Sequence, residues 1–314
     1  MNYFHSPPQR TIICLFNTMN TFFSQWQNRV QAQAELVLNH FLPPDNQSPE
    51  LLHQAMRYAC LGGGKRLRAM LVVAAAETAA FNQIALSQAI AAVEMIHAYS
   101  LIHDDLPCMD DDDLRRGKPS CHKAFGEAQA LLAGDALQTL AFAVLSQEND
   151  LPPQQRLRSL HTLATASGSL GMAGGQSIDL SAVGHFPDLS ALENMHRLKT
   201  GALICASVKL GVLACYSPDE TILCQLDCYA KNLGLAFQVV DDILDTQADS
   251  AVLGKTAGKD AQNNKPTFVS LMGIEKAQNY ANELCEQAIA VVQDLPRNSE
   301  ILTAMARFVC QRHC

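Results

Sequence analysis

Two groups of aspartates, at positions 104–113 and 241–245, stand far apart in this chain, and each adjoins apolar sequence. The second reads Asp241-Asp242-Ile243-Leu244-Asp245 and follows Leu235-Ala236-Phe237 and Val239-Val240. On a helix, Asp241 and Asp245 are one turn apart and share a face, where like charges destabilise unless something neutralises them. A hard divalent cation does this, and magnesium takes one or two carboxylates together with waters and phosphate oxygens. In the first group, Asp104 and Asp110 are separated by Pro107 and cannot share one face of a straight helix. Proline lacks an N–H and clashes with the preceding turn. The helix is therefore expected to bulge or end near Leu106, letting Asp110 swing back toward Asp104. Arg115 and Arg116 follow at once, and guanidinium forks beside carboxylates suit a metal-bound diphosphate. Either group taken singly reads equally as a solvated acidic turn. An EF-hand's alternating ligands and central glycine are missing. The two groups together are far more specific.

The rest of the chain reads as a succession of helices. Ala, Leu and Gln recur, and β-branched runs are short. A helix stops at Pro43-Pro44, and Ser48-Pro49-Glu50 opens the next with a capping hydroxyl and an N1 proline. Gly62-Gly63-Gly64 breaks it. Helices are expected over about 65–80, 83–106, 126–146 and 153–170. Ser190 with Glu193, and Ser217-Pro218 with Glu220, match capping boxes that open two more. No alternating strand, low-complexity tract or composition break is evident. The expectation is a single all-α domain over 19–314, with residues 1–18 a disordered extension and Met19 a candidate start.

The length of 314 residues and the 48% hydrophobic content allow a sizeable core. A net charge of −8 without a Lys/Arg stripe argues against nucleic acid. No apolar run is expected to reach the roughly 20 residues of a membrane span. Eleven cysteines without framework spacing suggest reduced, mostly buried thiols and a cytoplasmic setting. Neither Cys224/Cys228 nor Cys310/His313/Cys314 supplies four zinc ligands.

Several segments, in order along the chain, resemble the trans-type isoprenyl diphosphate synthases, and within them the bacterial fifteen-carbon synthases. They are Gly62-Gly63-Gly64-Lys65-Arg66-Leu67-Arg68, the stretch from Glu94 to Asp105, the Pro107-containing aspartate motif, Gly174-Gly175-Gln176, Lys199-Thr200-Gly201, and Phe237-Gln238 before the second motif. The resemblance implies a helical bundle of the isoprenoid synthase type around a deep central cavity, usually a homodimer. It implies condensation of isopentenyl diphosphate with allylic diphosphates to farnesyl diphosphate.

By that resemblance, Asp104, Asp105, Asp110, Asp241 and Asp245 hold three Mg2+ ions on the allylic diphosphate. Arg115, Lys199, Lys255 and Lys265 contact the same headgroup, with Lys259 and Asp260 in a closing lid. Lys65 and Arg68, read as neighbours on one helix face, join His97 and Arg116 at the isopentenyl diphosphate. Thr200, Gln238 and the Lys199 carbonyl stabilise the allylic cation, and Gln176 and Asp179 support them. Tyr99 and Ser100, just upstream of Asp104, form the floor that sets product length. Asp112 and Asp113 are expected to be solvated. The alternatives are ten- or twenty-carbon synthases of the same family. A terpene cyclase is disfavoured by the second aspartate cluster and by Lys65 and Arg68. A non-catalytic subunit is disfavoured because both motifs are intact.

Overall fold

The structure, a computed structural model, describes residues 9–182, 188–247 and 266–311, with side chains from residue 21 onward. Lys255, Lys259, Asp260, Lys265, His313 and Cys314 lie outside the described residues. The described chain is a helical bundle. Helix α1 spans Gln9–Phe41, so it begins within the segment set apart as an extension. Helices α2 (Glu50–Cys60), α3 (Leu67–Ala76) and α4 (Gln83–Asp104) follow. Next come α5 (Cys121–Phe125), α6 (Glu127–Ser146), α7 (Pro153–Ser167) and α8 (Met172–Ser181).

Helix α9 (Leu189–His196) passes through a π-helical turn at Arg197–Gly201 into α10 (Ala202–Leu213). Helices α11 (Glu220–Gln247), α12 (Phe268–Met272), α13 (Ile274–Val292) and α14 (Ser299–Cys310) complete the bundle.

Helix α3 is buried at every residue except Arg68. A helix apolar all round belongs in a core, and α3 packs there against α4 and α10. Gly211 permits the close crossing of α10, since a Cβ there would lie 2.2 Å from the Val72 carbonyl oxygen. Helix α11 packs along α13, and the Tyr229 hydroxyl donates to the Leu302 carbonyl at 2.8 Å, fixing α14 beneath it.

Several local expectations are corrected. Two helices, α4 and α6, are long and apolar enough to cross a membrane by length and composition; in α4, 72% of that stretch is buried inside the bundle. Strands β1 (Leu114–Arg115) and β2 (Lys118–Pro119) form a small antiparallel hairpin. Its turn residues Arg116 and Gly117 both have positive φ, 55° and 73°, which a two-residue turn of this hand requires. Helix α2 begins after Pro49, with no side-chain cap from Ser48. Asp188, not Ser190, caps α9 by accepting from Ala191 N at 2.8 Å. Asp219, not Ser217, accepts from Thr221 N and Ile222 N at the start of α11. In each case the aspartate stands one residue before the helix, where a side-chain oxygen can reach the first-turn N–H groups, whereas Ser190 already lies within α9 and Ser217 lies too far out. Of the cysteines whose side chains are described, Cys108, Cys224 and Cys228 are exposed and Cys60, Cys121, Cys215 and Cys285 are buried; none of these is disulfide-bonded.

Candidate active site

The end of α4 is shaped by Pro107. The helix stops at Asp104, and the chain folds back so that Asp110 N donates to the Asp104 carbonyl at 2.8 Å. Asp111 N reaches Leu106 O and Asp112 N reaches Asp105 O, each at 3.2 Å. The expected return of Asp110 to Asp104 is thereby made by the backbone. On α11, Asp241 and Asp245 share a face, as their spacing requires. A cavity of about 720 Å3 opens between these elements, and Asp104, Asp110, Asp241 and Asp245 all line it.

Burial pushes the Asp104 carboxyl up to about 6; the Lys199 charge opposes the shift and neighbouring Asp110 adds to it. An all-oxygen set of half-buried carboxylates gathered on one cavity fits a hard divalent cation such as magnesium. Asp242, by contrast, accepts from Phe268 N at 2.7 Å and so fixes α12 to α11.

Not every aspartate of the first motif faces the larger cavity. Asp105 is 2% exposed and is gripped by Arg115, whose Nε lies 3.1 and 3.2 Å from its two oxygens. Its carboxylate lines a separate cavity of about 260 Å3. Asp112 was expected to be solvated. It is buried, at 8% exposure, and lies 3.6 Å from Arg115, so one guanidinium draws both carboxylates inward. Asp113 is exposed and pairs with Lys123 at 2.8 Å. His122 joins Asp111 and Asp113 in a group whose ligand atoms lie within 4.8 Å of one another, a proximity without a sequence signal.

The residues expected at isopentenyl diphosphate divide. Arg68 and His97 line the larger cavity. Arg68 Nε and His97 Nδ1 are buried without hydrogen-bond partners among the described residues. Burial lowers the Arg68 guanidinium to about 10 and holds His97 well below its ordinary value. Unpaired buried donors of this kind are costly and suit an anion. Arg116 lines the smaller cavity, donating to Gly63 O at 3.0 Å, with its Cζ 3.0 Å from where a Gly64 Cβ would stand. Gly62, Gly63 and Gly64 all have φ in the left-handed range, so only glycines pass this turn without strain. Lys65 is exposed and precedes α3, which begins at Leu67; it is not on a helix face with Arg68.

The π-helical turn places Lys199 and Thr200 on the cavity wall. Such turns recur at functional sites. Periodicity gives no signal for one, and it was not foreseen. Gly175 on α8 makes it possible, since a Cβ there would lie 2.1 Å from Lys199 N. Lys199 Nζ donates to Asp179 Oδ2 at 2.6 Å. Gln238 lies 3.1 Å from His196 Nδ1 through its Oε1, and its Nε2 donates to Asp241 at 3.4 Å. His196 was also unforeseen; its ring stacks on Phe268, and burial lowers it to about 4. Both side-chain polar atoms of Gln176 are buried on the cavity wall without partners among the described residues. Tyr99 and Ser100 line the same cavity, with Tyr99 edge-on to His103 at 5.6 Å.

Comparison with known proteins agrees with this geometry. The polyprenyl synthetase family model matches residues 49–306. The chain is 47% identical to the farnesyl diphosphate synthase of Escherichia coli, over 93% of this chain and 99% of that protein. It is 41% identical to a chloroplastic geranylgeranyl pyrophosphate synthase of Arabidopsis thaliana, covering 93% and 82% of the two chains. The crystal structure of an FPP/GFPP synthase from Zymomonas mobilis superposes with a TM-score of 0.84 at 41% identity, covering 92% of this chain and 99% of that one. A helical bundle whose cavity gathers carboxylates from two distant motifs is the architecture of a prenyltransferase. This chain belongs to the polyprenyl synthetase family.

Proposed function

We propose that this protein condenses isopentenyl diphosphate with dimethylallyl and then geranyl diphosphate, releasing diphosphate and forming farnesyl diphosphate. The observation that carries this reading is the convergence of Asp104, Asp110, Asp241 and Asp245 on one cavity. In this reading they hold the allylic diphosphate through three magnesium ions. Bound magnesium supplies Lewis-acid stabilisation of the departing diphosphate. Asp105 is placed to act through Arg115, holding that guanidinium beside the headgroup. Lys199 adds a further cation, and Lys255 and Lys265 are assigned to the same headgroup.

The reaction breaks the allylic C1–O bond. The double bond of isopentenyl diphosphate attacks C1, and a proton then passes to the released diphosphate. Charge develops mainly on the leaving group, so electrostatic preorganisation supplies most of the acceleration. Thr200, Gln238 and the Lys199 carbonyl present neutral oxygens to the cation without a strong nucleophile. Arg68 and His97, with Lys65 and Arg116, bind the second diphosphate. The long apolar tail runs toward Tyr99 and Ser100, and closure of the cavity excludes water from the cation. The enzyme acts as a cytoplasmic homodimer.

Incubation with isopentenyl diphosphate and each allylic starter, with and without magnesium, followed by chromatographic product sizing, tests the assignment. A fifteen-carbon product that depends on magnesium is expected. A twenty-carbon product would favour the geranylgeranyl reading, which the Arabidopsis relative keeps in play. Asp104→Ala and Asp241→Ala should each lower kcat by about 10²–10³-fold, the scale of removing transition-state charge stabilisation.

A further inference from the structure

Arg66 and Glu94 stand within the two segments that flank the second diphosphate site, yet neither takes part in the chemistry above. Arg66 is left-handed (φ 51°, ψ 37°), immediately precedes α3, and is 5% exposed. Its Nη1 donates to Glu94 Oε2 at 3.0 Å, a pair whose side chains are 3% and 2% exposed. Its Nη2 donates to Glu35 Oε1 at 2.5 Å and to the Cys60 carbonyl at 2.6 Å. Burying charge costs several kcal/mol per ion and is repaid only by close pairing, so such a pair is weak evidence of a stabilising role. A non-glycine residue in the left-handed region adds a further cost.

The second oxygen of each glutamate shows what this arrangement secures. Glu94 Oε1 accepts from Ala69 N at 3.0 Å, one of the first-turn N–H groups of α3 that lack an intrahelical partner. Glu35 Oε2 accepts from Gly62 N at 3.2 Å. Carboxylates from α1 and α4 thus grip both ends of the segment 62–69, with Arg66 joining them in the middle. Arg68 lies inside that segment and turns into the cavity with its Nε unpartnered among the described residues. No side-chain hydrogen bond aims Arg68 in the described structure; its backbone does. His97 follows Glu94 by three residues, a spacing that places both on one side of α4.

We infer that the buried Arg66–Glu94 pair, together with Glu35, is a positioning clamp that fixes Arg68 and the glycine-rich backbone relative to His97, and so sets the affinity for the non-allylic diphosphate without touching it. This rests on the assignment of Arg68 and His97 to isopentenyl diphosphate.

Glu94→Gln tests the clamp, because the amide keeps the shape and can still accept from Ala69 N. The KM for isopentenyl diphosphate should rise about tenfold, or about 1.4 kcal/mol. The KM for geranyl diphosphate and kcat at saturation should stay within about twofold, the pattern of lost ground-state binding. Arg68→Ala should raise the same KM, and the double variant should be no worse than Arg68→Ala, as expected for groups acting through one contact. Calorimetric titration with isopentenyl diphosphate should show the same weakening independently of turnover.

If Arg68→Ala raises that KM while Glu94→Gln leaves it unchanged, the clamp is overturned and the substrate assignment stands. If Arg68→Ala leaves it unchanged, the assignment falls and takes the clamp with it. A Glu94→Gln protein that loses thermal stability and weakens both substrates equally shows a structural role only, and overturns the proposal. Should Glu94→Gln not fold, Glu35→Gln is expected to give the same selective effect from the partly exposed side, and an unchanged KM there overturns it.

Discussion

Lys199 and Asp179 form an ion pair of 2.6 Å in the wall of the aspartate-lined cavity. Asp179 is buried, and Lys199 projects from the π-helical turn. The lysine charge also acts on Asp104, opposing the rise that burial imposes on that carboxyl. Removing one partner of a largely desolvated charge pair leaves the other misplaced. Asp179→Asn should therefore lower kcat/KM for the allylic substrate about tenfold, a loss of about 1.4 kcal/mol. Isopentenyl diphosphate KM should change little. Steady-state kinetics with each substrate varied in turn gives the answer, and an unaltered allylic kcat/KM would count against a positioning role.

Product length should respond to Tyr99. Tyr99 is 7% exposed, lines the cavity and lies edge-on to His103. Replacing it with alanine removes a bulky obstacle one helical turn below Asp104. Tyr99→Ala should shift the product toward twenty carbons or more on chromatography. A product distribution identical to that of the unaltered enzyme would remove Tyr99 from this role.

Gly175→Ala tests whether the π turn depends on a close helix crossing. A Cβ at 175 would stand 2.1 Å from Lys199 N and 2.5 Å from its Cα, so backbone must move. Overpacking of this kind costs about 1–3 kcal/mol. The urea midpoint should fall, and activity should fall further because Lys199 moves. Equal stability with full activity would show that the two segments adapt freely.

Acid sensitivity should trace in part to His196. Burial lowers its pKa to about 4 from the ordinary 6.5, while Asp179 pulls the other way. Its folded form resists protonation, whereas the unfolded chain accepts a proton near pH 6.5. Stability therefore falls as pH drops from about 6.5 toward 4 and levels off below, because the unfolded state binds more protons across that window. His196→Gln should flatten the pH dependence of the unfolding free energy over that range. An unchanged slope would assign the acid loss to other groups.

Much of this arrangement was legible along the chain. Pro107 foretold the end of α4 and the return of Asp110, because a missing N–H and a steric clash are local facts. The i, i+4 spacing of Asp241 and Asp245 foretold their shared face. Helix positions followed from Gly and Pro punctuation, although the caps at Asp188 and Asp219 were each misassigned by two residues. The π turn was not legible, since it is imposed by α8 lying against Lys199 through Gly175.

The sequence by itself determined an all-helical chain with two acidic motifs, a glycine-rich turn followed by cations, and a bulky tyrosine upstream of the first motif. These are properties of periodicity, backbone freedom and spacing, which act over a few residues. Tertiary structure decided which charges face which cavity. Asp105 and Asp112 turned to Arg115, Lys65 left the helix that holds Arg68, and Arg66 was drawn inward by Glu35 and Glu94. Desolvation makes pairing compulsory for a buried charge, and the partner comes from whichever element the fold brings within reach.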